Sequence, residues 1–149
     1  MSFARLTGAY NSRVRKLAKT VLRSQLTNAV NASPQSIPIG GLPPNATVLQ
    51  VAFKLNAQFT GGGATTVTAT IGDTAGGVSR YGSGINLLGG TVGTVFIPPT
   101  TPGNFAGANP AADTVNLTVT PDAGHNLAAL TTGSVDVEIL YTVGDPYAN

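Results

Sequence analysis

Six acidic residues and a single histidine are the side chains of this 149-residue sequence that could move a proton or hold a metal: Asp73, Asp113, Asp122, Asp136, Glu138, Asp145 and His125. Asp136 and Glu138 stand two apart, a spacing that puts both on one side of an extended chain, and a carboxylate pair on one face is what general acid–base chemistry uses. Their neighbours Val135, Val137 and Ile139 give a simpler account, because strict alternation makes the two carboxylates the wet side of a half-buried strand. Asp73, Asp113 and Asp122 lie beside glycine-rich turns where calcium could sit, yet no DxDxDG loop surrounds them, and aspartate in such places ordinarily caps a turn. His125 has neither a cysteine partner nor an HxxxH or HExxH neighbour, so it reads as a loop histidine. With no cysteine there is no thiolate site and no disulfide. The glycine runs at 61–63 and 82–84 match neither a Walker loop nor GxGxxG before a helix. The expectation is a protein that is not an enzyme and takes no cofactor.

Charge of one sign is the stronger signal. Of eight basic residues, Arg5, Arg13, Arg15, Lys16, Lys19 and Arg23 fall in the first 23 positions, whereas every acid follows position 72, so residues 1–33 carry +6 and the remainder −4. Leu6, Tyr10, Val14, Leu17 and Val21 recur at three- and four-residue spacing, which predicts a helix over about 12–28, capped by Asn11 or Ser12. The opposite face carries the cations with no acid at i,i+4 to pair with them. An uncompensated basic arm calls for an anionic partner, and Arg5, Arg13, Arg15, Lys16, Lys19 and Arg23 are the candidate partner-binding residues. An acidic protein surface is the favoured partner and nucleic acid the alternative, since only Phe3 and Tyr10 accompany the charges and no stacking platform is evident. The acid-free amphipathic N-terminus also imitates a transit peptide. No window approaches the roughly 18 apolar residues of a membrane span, so no membrane partner is expected.

These residues must be carried by strands. The high glycine and proline counts (19 and 10), with many threonines and valines, suit short strands and tight turns. Val48 to Thr60 is the clearest strand, with Leu49, Val51, Phe53, Leu55, Ala57 and Phe59 predicted to face inward. Further strands are predicted over 65–72, 91–97, 113–120 and 134–143, with a helical turn at Leu127 to Leu130 and a long surface loop over 98–112. The first two strands are expected to form a hairpin across the GGG turn. Five strands are evident, and the glycine-rich connections leave room for seven or eight. The resulting organisation is a basic N-terminal arm, helical or extended, over 1–33, a Pro/Gly linker over 34–45 and an all-β body over 46–149. That body is an antiparallel β-sandwich, jelly-roll-like.

Three stretches of the body resemble the small β-sandwich head decoration or cement proteins of tailed bacteriophages: LPPNATVLQVAFKLNAQFT at 42–60, TTVTATIGDTAGGVSRYGSGINL at 65–87 and LTTGSVDVEILYTV at 130–143. The shared features are a Leu-Pro lead-in to an alternating strand, an IGD turn after the next strand, and a closing TxGxVxVxxxY strand. The resemblance implies a jelly-roll-like structural protein of the virion. It would reach the capsid from the host cytoplasm during assembly, sit on the lattice as a dimer or trimer, and lock neighbouring major capsid subunits together. The basic arm and the long loop depart from that pattern and leave a tail, internal or portal-proximal place open.

Overall fold

Alternating apolar and polar residues dictate strands, and strands with one dry face must stack that face on another sheet. A computed structural model, which describes residues 14–96 and 111–144, shows how this chain does so. Among the described residues eight strands run in the order β1 (Arg15–Leu22), β2 (Gln35–Leu42), β3 (Ala46–Gly61), β4 (Val67–Asp73), β5 (Gly77–Asn86), β6 (Val95–Phe96), β7 (Asp113–Pro121) and β8 (Leu130–Val143). One sheet has the order β1-β8-β3-β6 and the other β2-β7-β4-β5. All pairs are antiparallel, and the first strand pairs the last, the second the seventh, the third the sixth and the fourth the fifth. That nesting is a jelly roll, the all-β sandwich expected.

The inner faces supply one continuous core. Val21, Val51, Phe53, Leu55, Val135, Val137 and Ile139 of the first sheet meet Ile37, Val67, Ala69, Ile71, Val115, Leu117 and Val119 of the second. Phe59 is fully buried, and its ring lies where a Cβ on Gly133 of β8 would stand, a glycine with φ +143°. Burying that ring contributes about 1.5–3 kcal/mol, and any side chain at Gly133 would displace it.

Several local expectations are corrected. The helix over 12–28 is not formed in the described part: residues 15–22 are a strand, followed by a 3-10 turn at Arg23–Gln25, and the extended form of the arm is the one adopted there. Tertiary pairing overrides the helical spacing. As a strand, the segment covers the edge of β8 over eight register pairs and buries Val21, while Val14 stays 59% exposed, so the apparent helical stripe was never one buried face. The 34–45 stretch read as a linker contains β2, which tolerates Pro38 because β2 is an edge strand with a register shift between Pro38 and Gly40. In β3 a bulge between Val48 and Gln50 turns Leu49 outward, 47% exposed, and seats Val48 in the core; further shifts around Ala57 expose that residue and return Phe59 inward.

The GGG segment does not close a hairpin either. β3 and β4 belong to different sheets, and Gly61, Gly62 and Gly63, all at positive φ, carry the chain across between them. The glycine-rich polar stretch after Asp73 conceals β5, and the strand expected over 91–97 is reduced to Val95–Phe96 among the described residues. The 98–112 loop and residues 1–13 lie almost wholly or wholly outside the described residues. The helical turn after Pro121 is a 3-10 turn at Leu127–Ala129, with Asn126 accepting from the Ala129 N–H.

Candidate functional site: the basic edge

β1 is an edge strand, so its side chains alternate between the outer face of the first sheet and the rim where the two sheets meet. Lys16 points to the outer face and pairs with Glu138 of β8 at 3.0 Å, both exposed. Lys19 points to the rim, where its ammonium donates to the Pro38 carbonyl of β2 at 2.6 Å and ties one sheet to the other. Arg23 turns inward at the end of β1. Its guanidinium donates from Nε to the Leu130 carbonyl and from Nη2 to the Ala128 carbonyl, fastening the connection that precedes β8. Arg15 is exposed, and its side chain makes no hydrogen bond among the described residues. Arg5 and Arg13 lie outside them.

The four described cations of this set therefore divide. Lys19 and Arg23 are bonded within the fold, Lys16 is shared with Glu138, and the Arg15 side chain is exposed. The division was not legible in the sequence, because the carbonyls that take Arg23 are 105 and 107 residues away. No local pattern encodes such a pairing.

Each described carboxylate is also committed to its own surroundings. Asp136 and Glu138 do stand on the outer face of β8, as their alternation required. Asp136 accepts from the Thr20 hydroxyl at 2.6 Å, and that bond, then Asn56 and the nearby Lys54, hold its carboxyl below the usual range despite partial desolvation. Asp73 is fully buried at the end of β4. It pairs with Arg80 at 2.7 Å and accepts from the Tyr81 hydroxyl and the Gly76 N–H, while the Arg80 guanidinium lies over the Tyr81 ring. Asp113 accepts from the N–H groups of Thr74 and Ala75 at 3.2 and 2.9 Å, closing the same turn from β7. Asp122 accepts from the Thr65 hydroxyl and N–H at 2.5 and 2.7 Å and pairs with His125 Nδ1. The two Thr65 bonds chiefly place its pKa well below the ordinary carboxylate value. All three aspartates singled out beside turns are turn aspartates. Among the described residues no three His, Asp or Glu side chains gather around one point.

The opposite rim differs in kind. Between β5 and β6 the sheets part to leave a cleft of about 300 Å³, lined by Phe53, Leu55, Ile85, Leu87, Val95 and Val135, with Asn86, Thr91 and Thr94 at its polar margin.

No family model and no curated protein matches the sequence. Solved structures do match the fold. A chain in the capsid asymmetric unit of cyanophage Pam1 aligns with a TM-score of 0.59 and 20% identity, over 96% of this chain and 94% of that one. A chain in the capsid of Ralstonia phage GP4 aligns with a TM-score of 0.51 and 21% identity, over 89% and 84%. The alternating strands, the nested pairing and these two neighbours agree: this chain has a jelly-roll fold shared with chains of phage capsids.

Proposed function

We propose that the protein is a structural component of a phage virion, a decoration or cement protein that binds the major capsid protein lattice and stabilises it. One observation carries the reading. The fold match to chains from two phage capsids runs through at least 89% of this chain, so the likeness takes in the whole jelly roll and not a single hairpin. The chemistry fits such a role. The described carboxylates and two of the four described N-terminal cations are bound within the fold, while the Arg15 side chain is exposed; we assign it, with Arg5 and Arg13 before it, to an acidic neighbour. Many weak contacts of this kind, repeated over a lattice, add as multivalent attachment.

The test is co-sedimentation of the full-length chain with empty, DNA-free capsid shells. Truncation is the wrong comparison, because a chain starting at Ser33 would lose β1 and uncover β8. Arg5→Glu, Arg13→Glu and Arg15→Glu together should reduce shell occupancy at least about tenfold while leaving the melting temperature within a few degrees. Undiminished occupancy would refute docking through these arginines. Failure of the unaltered protein to bind shells, with salt-sensitive binding to DNA instead, would overturn the capsid reading in favour of nucleic acid.

A further inference from the structure

The edge strands of the two sheets are unequal. β2 carries Pro38 and a register shift, β5 holds Gly77, Gly82 and Gly84 and shifts its register on β4 twice, and β6 has two residues among those described. Proline, bulges and shortness are the devices that stop an edge from adding another strand. β1 has none of them: its eight residues include neither proline nor glycine and pair with β8 without a shift. The direction of its backbone groups follows from one bond. The Leu22 N–H donates to the Gln25 side chain at 2.9 Å, away from β8, and alternation then aims the N–H and C=O groups of Lys16, Ala18 and Thr20 away from β8 as well. No described strand pairs with them.

We infer that this edge of β1 takes an extended segment of an acidic partner chain as an added antiparallel strand. The inference rests on the reading of the basic edge as the surface that meets an acidic neighbour, and it names the backbone contact by which it does so. Charge selects the occupant. β1 and β2 line this rim, and their charged residues are Arg15, Lys16 and Lys19, without an acid in either strand. A second β1 laid along the first would set cations against cations, so the edge excludes its own kind. Arg15 and Lys16 stand at the start of β1, and alternation puts Arg15 on the rim side and Lys16 on the outer face. An antiparallel segment therefore matches them with two consecutive carboxylates near its C-terminal end. A nucleic acid would answer the charge but has no peptide groups with which to continue the ladder.

The probe is a fluorescent octapeptide, otherwise alternating valine and threonine, with two adjacent glutamates near its C-terminal end, added to the full-length chain in about 50 mM salt. Anisotropy should give a Kd between about 10 µM and 1 mM. The Ala18 and Thr20 amides should exchange at least about fivefold more slowly with peptide bound, while those of β5 stay unchanged. Ala18→Pro removes an outward donor where an edge strand tolerates proline, and should weaken binding at least about tenfold with the melting temperature within a few degrees. Methylating alternate backbone nitrogens of the peptide should weaken its binding to the unaltered protein by as much, a control that needs no variant to fold. Lysines in place of the glutamates should abolish binding. No binding up to about 1 mM, or equal binding of the methylated or lysine peptide, overturns the inference. So does slow exchange at Ala18 and Thr20 before peptide is added, which would show the edge already covered by the chain itself. The assay contains no capsid shells, so strand addition can fail while shell binding stands, and the reverse.

Discussion

The two rims of this sandwich solve the same problem differently. Where β1 stacks beside β2, Leu17 packs over Gly40, Lys19 reaches the Pro38 carbonyl, Val21 is fully buried and Arg23 clamps two carbonyls. That rim is bridged from Leu17 to Arg23. Where β5 stacks beside β6, the strands are glycine-rich or two residues long, Val95 is 57% exposed, and an apolar cleft remains between the sheets. β5 is anchored near its start by the buried Asp73 with Arg80 and Tyr81, and just past its end by Leu87, whose N–H donates to the Val67 carbonyl and whose carbonyl accepts from the Phe59 N–H. The basic rim thus has two kinds of cation in one short segment, because exposed Arg15 is followed by Lys19 and Arg23, which seal the fold. A mutation chosen by charge alone would confuse the two.

The largest contrast should come from one substitution placed on each rim. Val21→Asp puts an unpaired carboxylate into the closed rim and should cost at least about 3–4 kcal/mol, enough to abolish folding, while Val95→Asp at the open rim should stay within about 0.5 kcal/mol. Equal losses in urea denaturation would show that the rims are not different in packing. A smaller effect separates the cations. Arg23→Ala removes two charge-assisted hydrogen bonds and should cost about 2 kcal/mol, whereas Arg15→Ala should leave stability within about 0.5 kcal/mol. If Arg15→Ala destabilised the isolated protein as much as Arg23→Ala, the division between fold and partner cations would collapse.

Acid should sharpen the comparison most gently. The Asp136 carboxyl, held by Thr20 of β1, titrates below its ordinary 3.8, so its contribution is fully present above that value and is lost as pH falls through the lowered one. Amide exchange in β1 should therefore accelerate relative to β5 on going from about pH 6 to about pH 3, and Thr20→Val should flatten that response. Exchange that accelerates first in β5 would place the acid-sensitive contact elsewhere. Asp122, also lowered, shifts in the same direction at the loop end and should not discriminate between the rims.

Much of this architecture was legible locally. Val67, Ala69 and Ile71, Val115, Leu117 and Val119, and Val135 to Tyr141 face the core as their alternation requires, because each is a regular strand with one wet side. Bulges defeated the same rule in β3, where one extra residue at Leu49 exchanged the faces. Spacing misled in β1, since Leu17 and Val21 satisfy helical and extended periods alike, and only the open edge of β8 decides between them. Crossovers between sheets were hidden as well: a GGG turn looks the same whether it closes a hairpin or carries the chain to another layer. At the candidate site, the clustering of cations was visible, but their division was not, for Arg23 finds its acceptors only after the chain has folded.

Pairing of the first strand with the last sets the order in which this protein can come into being. β1 leaves the ribosome more than a hundred residues before β8, the strand that lies between β1 and β3. At about 5–20 residues per second, the basic segment waits roughly five seconds or more without its structural partner. The first sheet can be completed only after β8 has been made, and its long-range pairing makes that closing step slow. The rim that bears β1 is thus closed only after every other described strand has been made.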